Sequence, residues 1–191
     1  STHTPIVPPN IMAGSASATL VLLVVVVAAL AVGASATSTL TPLSITNRCS
    51  FTVWPAVASA GLGTELHPGA NWTVDASAIH YTADIWGRTG CSFDAAGRGR
   101  CQTVDCGSGL RCRSNDPAAP TTKAQVAISE GFYHYGIMLD KGFNLPMDLT
   151  CSSGDALRCR EDGCHDAFPY VKYNDHSCTA AGSRLQIIFC P

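Results

Sequence analysis

An all-β domain stapled by disulfides is the fold class this sequence predicts, and three observations predict it. Short apolar or alternating runs are broken about every eight to twelve residues by Gly, Pro, Asn or Asp, the rhythm of hairpin-connected strands. No window of comparable quality repeats at 3.6 residues, as an amphipathic helix would. All ten cysteines lie after residue 48, behind an apolar stretch that reads as an export signal.

That stretch runs from Ala18 to Val32, apolar apart from Thr19, and leads to Ala34-Ser35-Ala36, the small-x-small pattern cut by signal peptidase. Met12 reads as the translation start, with residues 1–11 upstream of it. Residues 1–36 are therefore assigned to upstream sequence plus signal peptide, and 37–191 to one exported domain. The apolar run falls short of the ~20 residues that span a bilayer, so no stable membrane anchor is expected. In the domain, Leu43 to Thr46, Phe51 to Trp54, Ala78 to Trp86, Ala124 to Ile128, Tyr135 to Leu139 and Leu185 to Phe189 have the pattern of half-buried strands. Ala60 to Gly63 and Gly97 to Gly99 suit hairpin turns. Between Cys151 and Cys178 the strand rhythm fades. This segment is expected to be a disulfide-pinned loop excursion with one short helix near Asp166 to Tyr170.

Twelve Lys and Arg stand against fourteen Asp and Glu, a formal net charge of −2. No run of like charges interrupts the balance, which excludes duplex nucleic acid as a natural partner. In an oxidising compartment the even cysteine count implies that all are paired. Spacing narrows the pairing only for near neighbours such as Cys91 with Cys101 and Cys106 with Cys112. His80, His134, His165 and His176 show no metal-ligand spacing, and Asp140 and Asp148 lack the alternating oxygens of a calcium loop, so neither metal nor cofactor is expected. Ser152-Ser153-Gly154 lacks the glycine of a nucleophile elbow. Asn71-Trp72-Thr73 is an N-glycosylation sequon, expected on the surface with its tryptophan, whereas Trp86 is expected in the core.

Several motifs together resemble the thaumatin family (pathogenesis-related family 5). They are Ile85-Trp86-Gly87-Arg88-Thr89-Gly90-Cys91-Ser92-Phe93, then Gly97-Arg98-Gly99-Arg100-Cys101-Gln102-Thr103 and Asp105-Cys106-Gly107. Gly142 to Met147, Cys164 to Tyr170 and Ile188-Phe189-Cys190-Pro191 carry the likeness to the end of the chain. Ten cysteines and a short domain resemble the small cereal members. Among these, Thr46 to Cys49, Thr64 to Gly69 and Ala181 to Gln186 look most like xylanase-inhibiting ones.

The resemblance implies a flattened β-sandwich with disulfide-rich loops. It implies the bridges Cys49 with Cys190, Cys91 with Cys101, Cys106 with Cys112, Cys151 with Cys178, and Cys159 with Cys164. Larger members carry an acidic cleft of one arginine, one glutamate and three aspartates. Here Arg88 and Asp166 match it, while Gln125, Gly136 and Lys141 beside Asp140 occupy the other places. Glycoside hydrolysis needs two cooperating carboxylates, which Asp140 and Asp166 would supply only if they converge at ~5 to 9 Å. The implied function is thus not enzymatic. The expected protein is a secreted, monomeric, glycosylated plant defence protein that binds and inhibits microbial endo-xylanases. The alternative is antifungal action, by binding cell-wall β-1,3-glucan or perturbing hyphal membranes. Xylanase-inhibiting members present a histidine in the loop represented by Ala56 to Gly63, which here has none. His67 is therefore the first candidate inhibitory residue, with Arg88 second.

Overall fold

The computed structural model describes residues 40–168 and 176–191. The expected signal segment and its cleavage point lie outside the described residues. In chain order the strands are β1 (Leu43–Asn47), β2 (Trp54–Val57), β3 (Leu62–Gly63), β4 (Asn71–Val74), β5 (Thr82–Arg88), β6 (Ser92–Phe93) and β7 (Gly99–Arg100). They continue with β8 (Lys123–Ser129), β9 (Phe132–Met138), β10 (Met147–Cys151), β11 (Ala156–Cys159), β12 (Ala167–Phe168), β13 (His176–Thr179) and β14 (Leu185–Phe189).

Two sheets face each other. One has the order β11-β10-β14-β1-β4, and the other runs β12-β9-β8-β5-β2-β3 with β13 also pairing β9. The β6–β7 ribbon stands apart from both. In β1 and β14 alternate residues are buried, so one side of each strand faces the opposite sheet. Leu43, Ile45, Leu185, Ile187 and Phe189 meet Ile85, Val126, Tyr133, Tyr135 and Ile137 in a core from which water is excluded. Each such side chain contributes about 1.5–3 kcal/mol by its burial. Gly87 is required by this packing. A Cβ there would lie 2.8 Å from Leu145 Cδ1 and 2.9 Å from Val53 Cγ1.

β1 and β14 pair in parallel near the centre of their sheet, Ile45 opposite Ile187. Cys49 and Cys190 bridge just beyond them, across 141 residues of sequence. The other bridges are Cys91–Cys101, Cys106–Cys112, Cys151–Cys178 and Cys159–Cys164. This is the pairing the resemblance implies, on the disulfide-rich sandwich it implies.

Several expected boundaries change. The strand expected over Phe51 to Trp54 begins only at Trp54. The Asn47 side chain donates to Phe51 O at 2.9 Å and to Leu66 O at 2.8 Å, and accepts from Cys49 N–H, which folds the preceding residues into a turn. The strand expected from Ala78 starts at Thr82, because Asp75 accepts from Ser77 N–H and caps a 3-10 turn over Ala76–Ala78. The excursion after Cys151 contains β11, β12 and β13. In place of the short helix expected near Asp166 to Tyr170, Ala167 and Phe168 pair in parallel with Ile137 and Met138. Pro169 and Tyr170 lie outside the described residues.

Candidate functional site

His67 opens a four-residue turn. Pro68 and Gly69 occupy its centre, Gly69 has φ +79°, and Ala70 N–H donates to His67 O at 3.0 Å. This is type II geometry, which needs glycine at the third position. The imidazole is exposed, with Nδ1 3.3 Å from Thr52 Oγ1 and 3.8 Å from Glu65 Oε1. Thr52 also lines a shallow depression of about 450 Å³ with Phe51, Trp54, Thr89 and Gly90. Phe51 is 45 % exposed there. The His67 ring is thus accessible, and its neighbour Thr52 lines that depression.

Arg88 is not. Its side chain is fully buried, which corrects its assignment as a binding residue. Nε donates to Trp54 O at 3.1 Å, Nη1 to Gly109 O at 2.9 Å and Nη2 to Leu110 O at 2.8 Å, while Phe93 packs 5.5 Å from the guanidinium carbon. Burial pulls its pKa down to about 10, and the charge of Asp105 opposes that pull. Arg88 therefore bolts the Cys106–Cys112 loop onto β2. Trp86 sits alongside, fully buried, donating to Val104 O at 3.2 Å.

The hairpin tip between β2 and β3 rests against that loop. A Cβ on Gly63 would lie 2.1 Å from Leu110 O, and one on Gly61 would lie 3.4 Å from Arg113 Cγ. Ser59 at the tip has φ +65°, and its hydroxyl donates to Thr82 O at 2.6 Å. The loop that lacks a histidine is consequently rigid and backed on two sides.

Of the remaining candidates, Gln125 and Gly136 lie on the second sheet, and Asp140, Lys141 and Asp166 on segments that adjoin its strands. The register sets Asp84 opposite Gln125, and Gln125 opposite Gly136. Lys123 is buried, with Nζ 3.0 Å from both carboxylate oxygens of Asp140 and 3.7 Å from Asp84 Oδ2. Gln125 Nε2 donates to Asp84 Oδ1 at 3.1 Å. Lys141, which stands at the third aspartate position of the acidic cleft, instead pairs with Asp116. Asp166 is elsewhere. Its Oδ2 accepts from Arg158 N–H at 3.0 Å and Oδ1 lies 3.3 Å from His165 Nδ1; the backbone bond chiefly holds this carboxyl below the usual range. The register of β12 on β9 sets Ala167 opposite Ile137, while Asp140 lies past the end of β9 in a turn closed by Gly142 N–H on Leu139 O, so the two carboxyls are held by different partners on different segments.

A family profile described as the thaumatin family matches residues 47–169. The chain belongs to the thaumatin family. Among its relatives, this thaumatin-family chain is 43 % identical over 150 residues to a rice thaumatin-like protein, covering 78 % of this chain and 84 % of the other. It is 44 % identical over 151 residues to thaumatin-like pathogenesis-related protein 4 of oat, covering 78 % and 86 %. Among solved structures, the thaumatin-like xylanase inhibitor TLXI is 59 % identical, with TM-score 0.68, covering 79 % of this chain and all of that one.

Within this thaumatin-like sandwich, the four residues singled out in the sequence do not come together. His67 is on the outer surface of one turn, Arg88 is inside, Asp140 is neutralised by Lys123, and Asp166 caps the entry to β12. Sequence reasoning passed over Asp84 and Lys123. Their signal was the alternation of β5 and β8, which sends Asp84 to the face opposite Ala83 and Ile85. Asn71 is exposed at the start of β4, and its Nδ2 donates to Ser44 Oγ at 2.7 Å and Thr46 Oγ1 at 2.8 Å. Trp72, expected on the surface, is half-buried against the core.

Proposed function

We propose that this protein binds and inhibits microbial endo-xylanases outside the cell, as a protein ligand and without turnover of its own. One observation carries the reading: the chain matches a xylanase inhibitor of its own family over that inhibitor's whole length at 59 % identity. The architecture supports it. Loops tied by Arg88 and by the Cys91–Cys101 and Cys106–Cys112 bridges are preorganised, so docking costs them little entropy. Five bridges with no free cysteine among the described residues suit an oxidising, extracellular setting.

A glycosidase cleft offers paired carboxylates, to which an inhibitor presents an imidazole or cationic group. His67, exposed beside Thr52, is the residue we assign to that contact. Catalysis by this chain has poor support, because Asp140 is paired with Lys123 while Asp166 is held by the Arg158 N–H and beside His165. The test is residual activity of endo-xylanases from structurally different families after incubation with the oxidised domain. Stoichiometric loss in one family is the expected result. If no xylanase is inhibited at micromolar protein, the reading fails and β-1,3-glucan binding replaces it, which a glucan co-sedimentation assay then measures.

A further inference from the structure

We propose that the depression between the β6–β7 ribbon and the Cys106–Cys112 loop binds the carboxylates of a uronic-acid polysaccharide through Arg98, Arg111 and Arg113. The depression has a volume of about 810 Å³, within the ~300–1,000 Å³ usual for ligand sites. Its lining holds three arginines and no carboxylate. All three side chains are exposed. Among the described residues no acidic group lies within 4.0 Å of Arg111 or Arg113. Arg98 shares only its Nε with Asp94, at 2.9 Å, and Asp94 is otherwise spent on the backbone N–H groups of Ala96 and Arg98. Two of the forks are thus unpaired, and the third keeps its outer N–H groups.

The site is built. Leu110 N–H donates to Gly97 O at 2.9 Å, which joins the ribbon to the loop, and Arg88 holds Gly109 O and Leu110 O from beneath. Gly109 has φ +79°, and a Cβ there would stand 2.4 Å from Gly97 O, so only glycine lets the two backbones meet. A disulfide pins each side.

The chemistry selects the ligand class. Planar guanidinium forks match carboxylates two bonds at a time. The floor is glycine backbone and the Ser108 hydroxyl, with Leu110 its one large apolar side chain. That suits a hydroxyl-rich polymer and lacks the apolar ridge by which proteins enter lipid. The whole chain carries a net charge of −2, so attraction of a polyanion depends on a local cluster of cations such as this one. Galacturonate in a polymer backbone and glucuronate on a xylan side group share this chemistry. The assignment is independent of xylanase inhibition.

The experiment is retention of the full oxidised domain on immobilised polygalacturonate and glucuronoxylan, with neutral arabinoxylan as reference. Retention on either acidic polymer but not on the neutral one is expected, and which polymer retains it identifies the source of the uronate. Arg111→Gln with Arg113→Gln should weaken retention about tenfold or more. Arg158→Gln with Arg184→Gln, an equal charge loss on the other sheet, should change it less than twofold. The proposal is overturned by no retention, by equal loss in both double variants, or by a loop variant that binds as well as the parent. Binding to anionic phospholipid vesicles with none to either polymer also overturns it.

Discussion

A guanidinium whose five N–H groups reach four backbone carbonyls and the Cys106 sulfur from a fully buried position has none free for a partner, and removing it strands those carbonyls without donors. Arg88→Met should therefore lower stability by about 3 kcal/mol or more, read as a shift in urea midpoint. Arg88→Lys should not restore it, because one ammonium cannot reach Trp54, Gly109 and Leu110 together. His67 has the opposite profile. Exposed and held only by Thr52 and Glu65, it should be replaceable by Ala within about 0.5 kcal/mol of stability. Inhibition should meanwhile weaken at least about tenfold, as one hot-spot contact of ~1.4 kcal/mol would give. Unchanged inhibition in a folded His67→Ala variant would remove His67 from the interface. The two residues were indistinguishable by type in the sequence, since both are basic and both sit in recognisable motifs. Burial separates them, and burial depends on what the Cys106–Cys112 loop lies against.

β4 is the edge of its sheet, and an edge strand offers unpaired backbone groups to other chains. Asn71 at its start bonds Ser44 and Thr46 on β1, so a glycan there would stand over the β1–β4 pair. Thr73→Ala, which abolishes the sequon, should leave the melting temperature within about 2 °C, as an exposed change does. If Asn71 carries a glycan, the change should raise light scattering on heating, because the outer face of the β1–β4 pair loses its cover. Strand legibility followed the same division between interior and edge. β1, β5, β8, β9 and β14 contribute alternating apolar residues to the core and were readable by period. β11 and β13 bury mainly cysteines and one leucine among exposed polar residues, which leaves little hydrophobic contrast to read. The two-residue turn Glu130-Gly131, with φ +51° and +80°, joins β8 to β9 without the usual Asn-Gly or Asp-Gly signal.

Across the whole molecule, the first and last strands lie side by side and the Cys49–Cys190 bridge closes a ring of 141 residues. Replacing both cysteines by Ala should cost about 5 kcal/mol on the chain-entropy account, measured as the fall in denaturant midpoint against the parent. Stability should also decline at both ends of the pH scale. Asp166 is held low chiefly by the Arg158 N–H, so its contribution is present above the unfolded carboxylate pKa of ~3.9 and is lost as pH falls through the lower folded value. Burial raises Tyr133 and Tyr135, whose hydroxyls donate to Thr41 O and Asp155 O. Their contribution is full below ~10 and is lost as pH rises through the higher folded values. Melting temperature followed from pH 2 to 12 checks both limbs, and Tyr135→Phe should flatten the alkaline one.

By itself the sequence determined the all-β class, the core strands and the family resemblance that carried the bridge pairing, because these rest on short-range alternation and on motifs read in order. Tertiary structure alone decided which charged side chains are available. Arg88 is enclosed by a loop more than twenty residues downstream, Lys123 is neutralised by Asp84 from a neighbouring strand and by Asp140 from the turn after β9, and Arg98, Arg111 and Arg113 gather from two separate loops into one depression. A charge's solvation and partners are set by what folds over it, and local sequence holds no record of that.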